Sequence, residues 1–161
     1  MCNIIFISTN QWFDLSQFNC EDISFTQSLP EYVPEIHQMK FKYGWYIAGY
    51  PNIEACSCYF RIRPLDLGFN VPEDWYEEDE QSIQATKIAY DIFESLIQKN
   101  ISFEIIVSWA QGSVNTDFNT IHDVELDFTK IKRDEFCFIE NSRMLFKVEN
   151  HDKTSANNSK L

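Results

Sequence analysis

A chain of 161 residues, 44% of them apolar and 16% aromatic, carries enough hydrophobic surface to bury a core in one domain. That excludes disorder over most of its length. The formal net charge of −12 repels phosphate backbones and weighs against nucleic acid, while it suits a basic protein partner.

Five cysteines, an odd number at spacings unlike a disulfide framework, fit a reducing compartment. The apolar run NIIFI is too short for a signal-peptide core, and no segment approaches the length of a membrane span. A cytosolic protein is expected.

Residues 3–8 form a β-type apolar run, and 23–26 a short second strand before LPEYVPE, where Pro30 and Pro34 interrupt any ladder. YGWYIAGY at 43–50 reads as a strand closed by Pro51. CSCYFRIR at 56–63 alternates well enough to be its antiparallel partner, joined through PNIEA. Residues 64–80 are irregular.

SIQATKIAYDIFESLIQKN is the one long helix, with Ile83, Ile88, Ala89, Ile92, Phe93, Leu96 and Ile97 in an apolar stripe. Acidic residues precede it, and Lys99 with Asn100 closes it, as the dipole and capping rules require. ISFEIIVSWA then forms an apolar strand, followed by the polar loop QGSVNTDFNT. HDVELDF places Val124, Leu126 and Phe128 on one face, and FCFIE with RMLFKV predicts a hairpin about Asn141 and Ser142.

The polar end HDKTSANNSKL is expected to be a disordered tail. The predicted architecture is therefore α+β. A single domain over residues 1–150 has a largely antiparallel sheet of about six or seven strands with the helix packed on one face.

Chemistry-bearing residues fall into a few groups. Cys2 shares strand parity with Ile4 and Phe6, and Cys56 and Cys58 share it with Phe60 and Ile62, which predicts small core thiols. The alternative joins Cys2, Cys56 and Cys58 in a thiolate site for zinc, although zinc pairs are usually spaced by two to four residues on a turn. A nucleophilic Cys2, with the freed α-amine as base, resembles the start of class II glutamine amidotransferases, which open Met-Cys-Gly. Asn3 stands where that glycine belongs, and no Asn-Gly occurs in the chain. A Cys–His pair would need His37, His122 or His151.

EDWYEEDE places six carboxylates among eight residues. Trp75 and Tyr76 would serve as aromatic anchors for a basic partner, with Glu77, Glu78, Asp79 and Glu80 as the charged grip. Read more plainly, the same residues stabilise a helix N-terminus. Tyr59, Arg61 and Arg63 form a small aromatic and basic face, for which pairing with internal carboxylates is the expectation. The chain has no phosphate-binding glycine loop, paired-histidine zinc motif, glycine-flanked serine or Cys-x-x-Cys.

MC-x-IIFIST, GWYIAG followed by CSC-x-FR, GFNVPEDWYEEDE before a helix, and DEFCFIEN together resemble a family of short bacterial proteins. The resemblance spans nearly the whole chain except the tail. It implies a coherent fold and no particular activity or catalytic residue. The functional expectation is thus a small acidic binding protein of inhibitor or immunity type, without catalysis, cofactor or membrane attachment. The cysteine-dependent site is the alternative.

Overall fold

The computed structural model describes residues 2–29, 34–49, 57–69, 77–110 and 121–149. In chain order it holds β1 (Cys2–Thr9), β2 (Ile23–Thr26), β3 (Tyr43–Gly49), β4 (Ile62–Arg63), α1 (Glu80–Gln98), β5 (Phe103–Ala110), β6 (His122–Glu125), β7 (Phe138–Ile139) and β8 (Ser142–Phe146). Short 3-10 turns cover Leu15–Phe18, Pro34–Gln38 and Phe128–Lys130. The main sheet runs β2-β3-β1-β5-β8-β6, antiparallel throughout except for the β6–β8 pair. The fold is α+β, as composition and periodicity predicted. No helix among the described residues is long and apolar enough to cross a membrane.

Local chemistry sets the limits of α1. The Asp79 carboxylate accepts the Ser82 backbone N–H at 3.0 Å, satisfying one orphan donor of the first turn. At the other end Asn100 adopts a left-handed φ of 58°. Its N–H donates to Ile97 O at 3.0 Å and that of Ile101 to Leu96 O at 2.9 Å, the paired bonds of a Schellman turn.

The buried helix stripe is Ala85, Ala89, Ile92, Phe93 and Leu96, with Ile88 and Ile97 half-buried at its margins. It packs on Ile5 and Ile7 of β1, Ile47 of β3, and Phe103, Ile105 and Val107 of β5, together with Phe128, Phe136 and Phe138. The second sheet face is also covered. Ile4, Phe6, Tyr46, Ala48 and Ile106 meet Leu29, Ile36 and Met39 from around the Pro34–Gln38 turn. Burial on both faces explains why β1 and β5 read as continuous apolar runs rather than alternating ones.

Two pairing expectations are corrected. Residues 57–60 are not a strand, and β3 lies between β1 and β2. Only Ile62 and Arg63 are extended, pairing in parallel with Phe138 and Ile139 in a separate two-stranded sheet. The reason is Ser57, fully buried, whose hydroxyl accepts the Ile5 N–H at 3.0 Å and donates to Ile47 O at 2.6 Å. It inserts between β1 and β3, so the chain crosses β3 instead of lying beside it. The crossing is close: a Cβ on Gly49 would stand 3.0 Å from Tyr59 Cβ.

The second correction concerns FCFIE and RMLFKV, which do not pair with each other. Asn141, at a φ of 52°, turns the chain from β7 in the small sheet into β8 in the main one.

Ser57→Ala removes the one group that satisfies both Ile5 N–H and Ile47 O at this junction. The expected loss of stability is about 1–3 kcal/mol, seen as a lower urea midpoint at unchanged slope.

Candidate functional site

The carboxylates ahead of α1 divide by role. Glu77 and Glu80 are exposed, and Asp79 caps the helix. Glu78 turns inward, where its Oε2 meets Arg61 Nη2 and its Oε1 meets Arg63 Nη2, both at 2.8 Å. The side chains of Arg61, Arg63 and Glu78 are 9%, 5% and 18% exposed, so this is a desolvated ion triad rather than a surface bridge. Trp75 and Tyr76 lie outside the described residues.

The triad ties three parts of the chain together. Arg61 Nη1 donates to the carbonyls of Asp134 at 2.8 Å and Phe136 at 3.4 Å. Its backbone N–H donates to Thr86 Oγ1 at 2.8 Å, and that hydroxyl donates in turn to Ser82 O at 2.7 Å. The small sheet is thereby fixed to the first turns of α1. The expectation that Arg61 and Arg63 pair with internal carboxylates is met.

Cys137 lies fully buried in the core, and its thiol donates to Gly68 O at 3.4 Å. Burial raises its pKa from 9.0 to about 11, against the opposing pull of Arg63 and Arg61 and with a smaller push from Glu78. A thiol held protonated at neutral pH is a poor nucleophile.

The cysteines singled out by sequence fare differently. Cys2 stands opposite Ala110 in the β1–β5 register, with its side chain outside the described residues, as is all of Cys56. Cys58, expected to point inward, is exposed. The turn at 58–60 breaks the strand alternation, so Ser57 and Phe60 take the buried positions. Among the described residues no group of three or more His, Cys, Asp or Glu is placed to hold a metal. His37 and His122 are both exposed, and His151 lies outside the described residues.

One buried polar centre was not singled out from sequence. Glu104, fully buried on β5, accepts the Ser8 hydroxyl at 2.7 Å and the Phe41 backbone N–H at 2.9 Å, and also the N–H of Lys40. Its second oxygen faces Arg143 Nη1 at 3.5 Å, and Arg143 Nη2 donates to Asp123 at 2.7 Å. The centre holds the segment over the second sheet face in place. Its one sequence signal is a single carboxylate inside FEIIVSWA.

No protein-family model, curated protein or solved structure matches this chain.

Glu78→Gln withdraws the charge shared by two buried guanidinium groups, with an expected cost of about 3 kcal/mol in urea unfolding. Glu77→Gln and Glu80→Gln are expected to stay within about 0.5 kcal/mol. In thiol titration with an aromatic disulfide, exposed Cys20 and Cys58 react in the native protein and Cys137 only on unfolding. The stabilising contribution of the protonated Cys137 thiol is complete below its ordinary pKa of 9.0 and fades as the pH rises through about 11.

Proposed function

We propose that this chain is a non-catalytic binding protein that meets a basic protein partner through the carboxylates ahead of α1, in the manner of an inhibitor or immunity protein. The observation that supports this reading is the division of charge within the fold. All four arginines are engaged in intramolecular ion pairs: Arg61 and Arg63 with Glu78, Arg133 with Asp91, and Arg143 with Glu104 and Asp123. Glu77 and Glu80 remain exposed and make no ion pair among the described residues. Unpaired carboxylates thus face solvent at the start of α1.

Glu77, Asp79 and Glu80 provide the grip in this reading, and Trp75 and Tyr76 the aromatic anchors beside it. Glu78 contributes indirectly, by fixing the segment to β4. Charge of one sign on such a surface speeds diffusional encounter with a basic partner, and salt weakens it.

The test is surface plasmon resonance of the intact chain against a panel of basic proteins. The double variant Glu77→Lys/Glu80→Lys keeps both Glu78 and the Asp79 cap. It is expected to lose about tenfold or more in association rate, and raising the salt should slow the unaltered chain in the same direction. Capture that is indifferent to both changes in a folded variant rejects the proposal.

A further inference from the structure

Eight of the eleven described lysines and arginines make ion pairs within the fold. Besides the arginines, Lys87, Lys130, Lys132 and Lys147 pair with Asp134, Asp127, Glu135 and Glu125. Lys40, Lys42 and Lys99 are exposed and make no ion pair among the described residues. All three lie at the end of the molecule where α1 finishes, since Thr9 pairs there with both Tyr43 and Phe103. The rise of the helix places Lys99 about 28 Å from Glu80.

The same end carries Trp12, 53% exposed. Its ring lies 5.7 Å from that of Tyr43, edge-on, and 5.7 Å from that of Trp45. Trp45 is 3% exposed, and its Nε1 is buried without a hydrogen-bond acceptor among the described residues. Lys42 Nζ stands 5.3 Å from the Tyr43 ring centre, and Lys99 Nζ 5.9 Å from that of Phe13. One ammonium group thus stands at the aromatic platform and another at Phe13, the residue next to Trp12.

The platform is held in place. Asn10 and Ser102 exchange bonds, with Asn10 N–H donating to Ser102 O and Ser102 N–H to Asn10 Oδ1, each at 3.1 Å. Gln11 Nε2 donates to Asn100 O at 3.0 Å, and Thr9 Oγ1 to Gln11 O at 2.8 Å. A tryptophan kept exposed on a pinned segment loses little freedom when it is covered. Tryptophan is also among the residues that dominate interface energies.

We propose that Trp12, Tyr43, Lys42 and Lys99 form a second docking surface, which takes a short acidic protein segment presenting carboxylates beside aromatic or aliphatic side chains. The ammonium groups meet the carboxylates, and the exposed ring of Trp12 covers the apolar side chain. A nucleic-acid strand fits less well. All the guanidinium groups are already engaged, and the net charge of −12 repels a long polyanion. A short segment with few charges responds mainly to the groups within about 8 Å, and Lys42 and Lys99 stand at the aromatic rings themselves.

The surface shares no residue with the acidic one ahead of α1, so the two proposals fail independently. The experiment uses the full chain and three probes: a synthetic peptide alternating Glu and Asp with Phe and Leu, its Gln and Asn counterpart, and oligothymidylate. Binding is read by calorimetry and tryptophan fluorescence, and self-association by sedimentation. The acidic peptide is expected to bind at least about tenfold tighter than its neutral counterpart. Trp12→Ala and, separately, Lys42→Glu should each weaken it by about tenfold, while circular dichroism and the urea midpoint confirm the fold. The proposal is overturned if no peptide binds, if the neutral counterpart binds equally, or if neither variant changes the affinity. Preference for oligothymidylate overturns it in favour of nucleic acid. Concentration-dependent dimerisation abolished by Trp12→Ala overturns it in favour of a second copy of this chain.

Discussion

The architecture depends on one constraint: β1 carries apolar side chains on both sides. Ile5 and Ile7 point to one face and Ile4 and Phe6 to the other, all at 2% exposure or less. A strand of that kind is stable only inside a sheet covered on both faces. α1 with the aromatic residues of 128–138 covers one. A single helix cannot cover the other, and there the chain uses the irregular residues around the Pro34–Gln38 turn. Irregular backbone over a core has donors without ladder partners. The Glu104 carboxylate answers that need, accepting the N–H groups of Lys40 and Phe41. A charge deep in the sheet then needs a cation, and Arg143 supplies it from the neighbouring strand, opposite Ile106. Asp123, across from Arg143 on β6, completes the chain of charges.

The Glu78 triad answers a similar problem at the other end of the helix. β4 and β7 are two residues each, too short to hold together on ladder bonds alone. Arg61 and Arg63 bind them through Glu78 to the start of α1 and through the Asp134 and Phe136 carbonyls to the approach to β7. Desolvated ion clusters return little net stability, because removing the charges from water offsets most of their attraction. Their effect is to fix one geometry for segments that hydrophobic burial leaves loosely placed. The cost to the surface is compositional: three of the four arginines are consumed inside, and apart from Arg133 the exposed charge is left to acids and lysines.

How far this was legible in the sequence depended on the range of the interaction involved. α1 follows from the periodicity between Ile83 and Ile97 and from Asp79 and Asn100 as local caps, all within the helix and its flanks. β1, β2, β3 and β5 follow from short apolar runs. β4 and β7 lie within CSCYFRIR and FCFIE, which read as strands, but their two-residue extent and their pairing with each other were not legible, because the partners lie far apart in sequence. The hairpin expectation found the turn at Asn141 and missed that the turn changes sheets. Cys58 was placed inward by parity, which holds only while the backbone stays extended; the Ser57 hydroxyl ends that extension. Within the acidic run, composition treats Glu77 and Glu78 alike. Only the fold, bringing Arg63 from 15 residues away, separates a structural carboxylate from an exposed one.

Helix stabilisation accounts for part of the charge distribution but not all of it. Carboxylates near the N-terminus and a lysine near the C-terminus interact favourably with the macrodipole, an effect that falls off within one turn. Asp79, Glu80 and Lys99 satisfy that explanation and require no other. Glu77 precedes the cap, and Lys42 lies on the approach to β3 beside Tyr43, outside the helix altogether. Neither neutralises a buried group, and neither is needed by the dipole. Trp12 poses a related question in apolar form: it rests on Trp45 and helps to cover it, yet leaves half its own surface in water. The features that neither packing nor helix electrostatics demands therefore fall at the two ends of α1, with opposite charge. The two docking surfaces proposed for this chain rest on that opposition of charge.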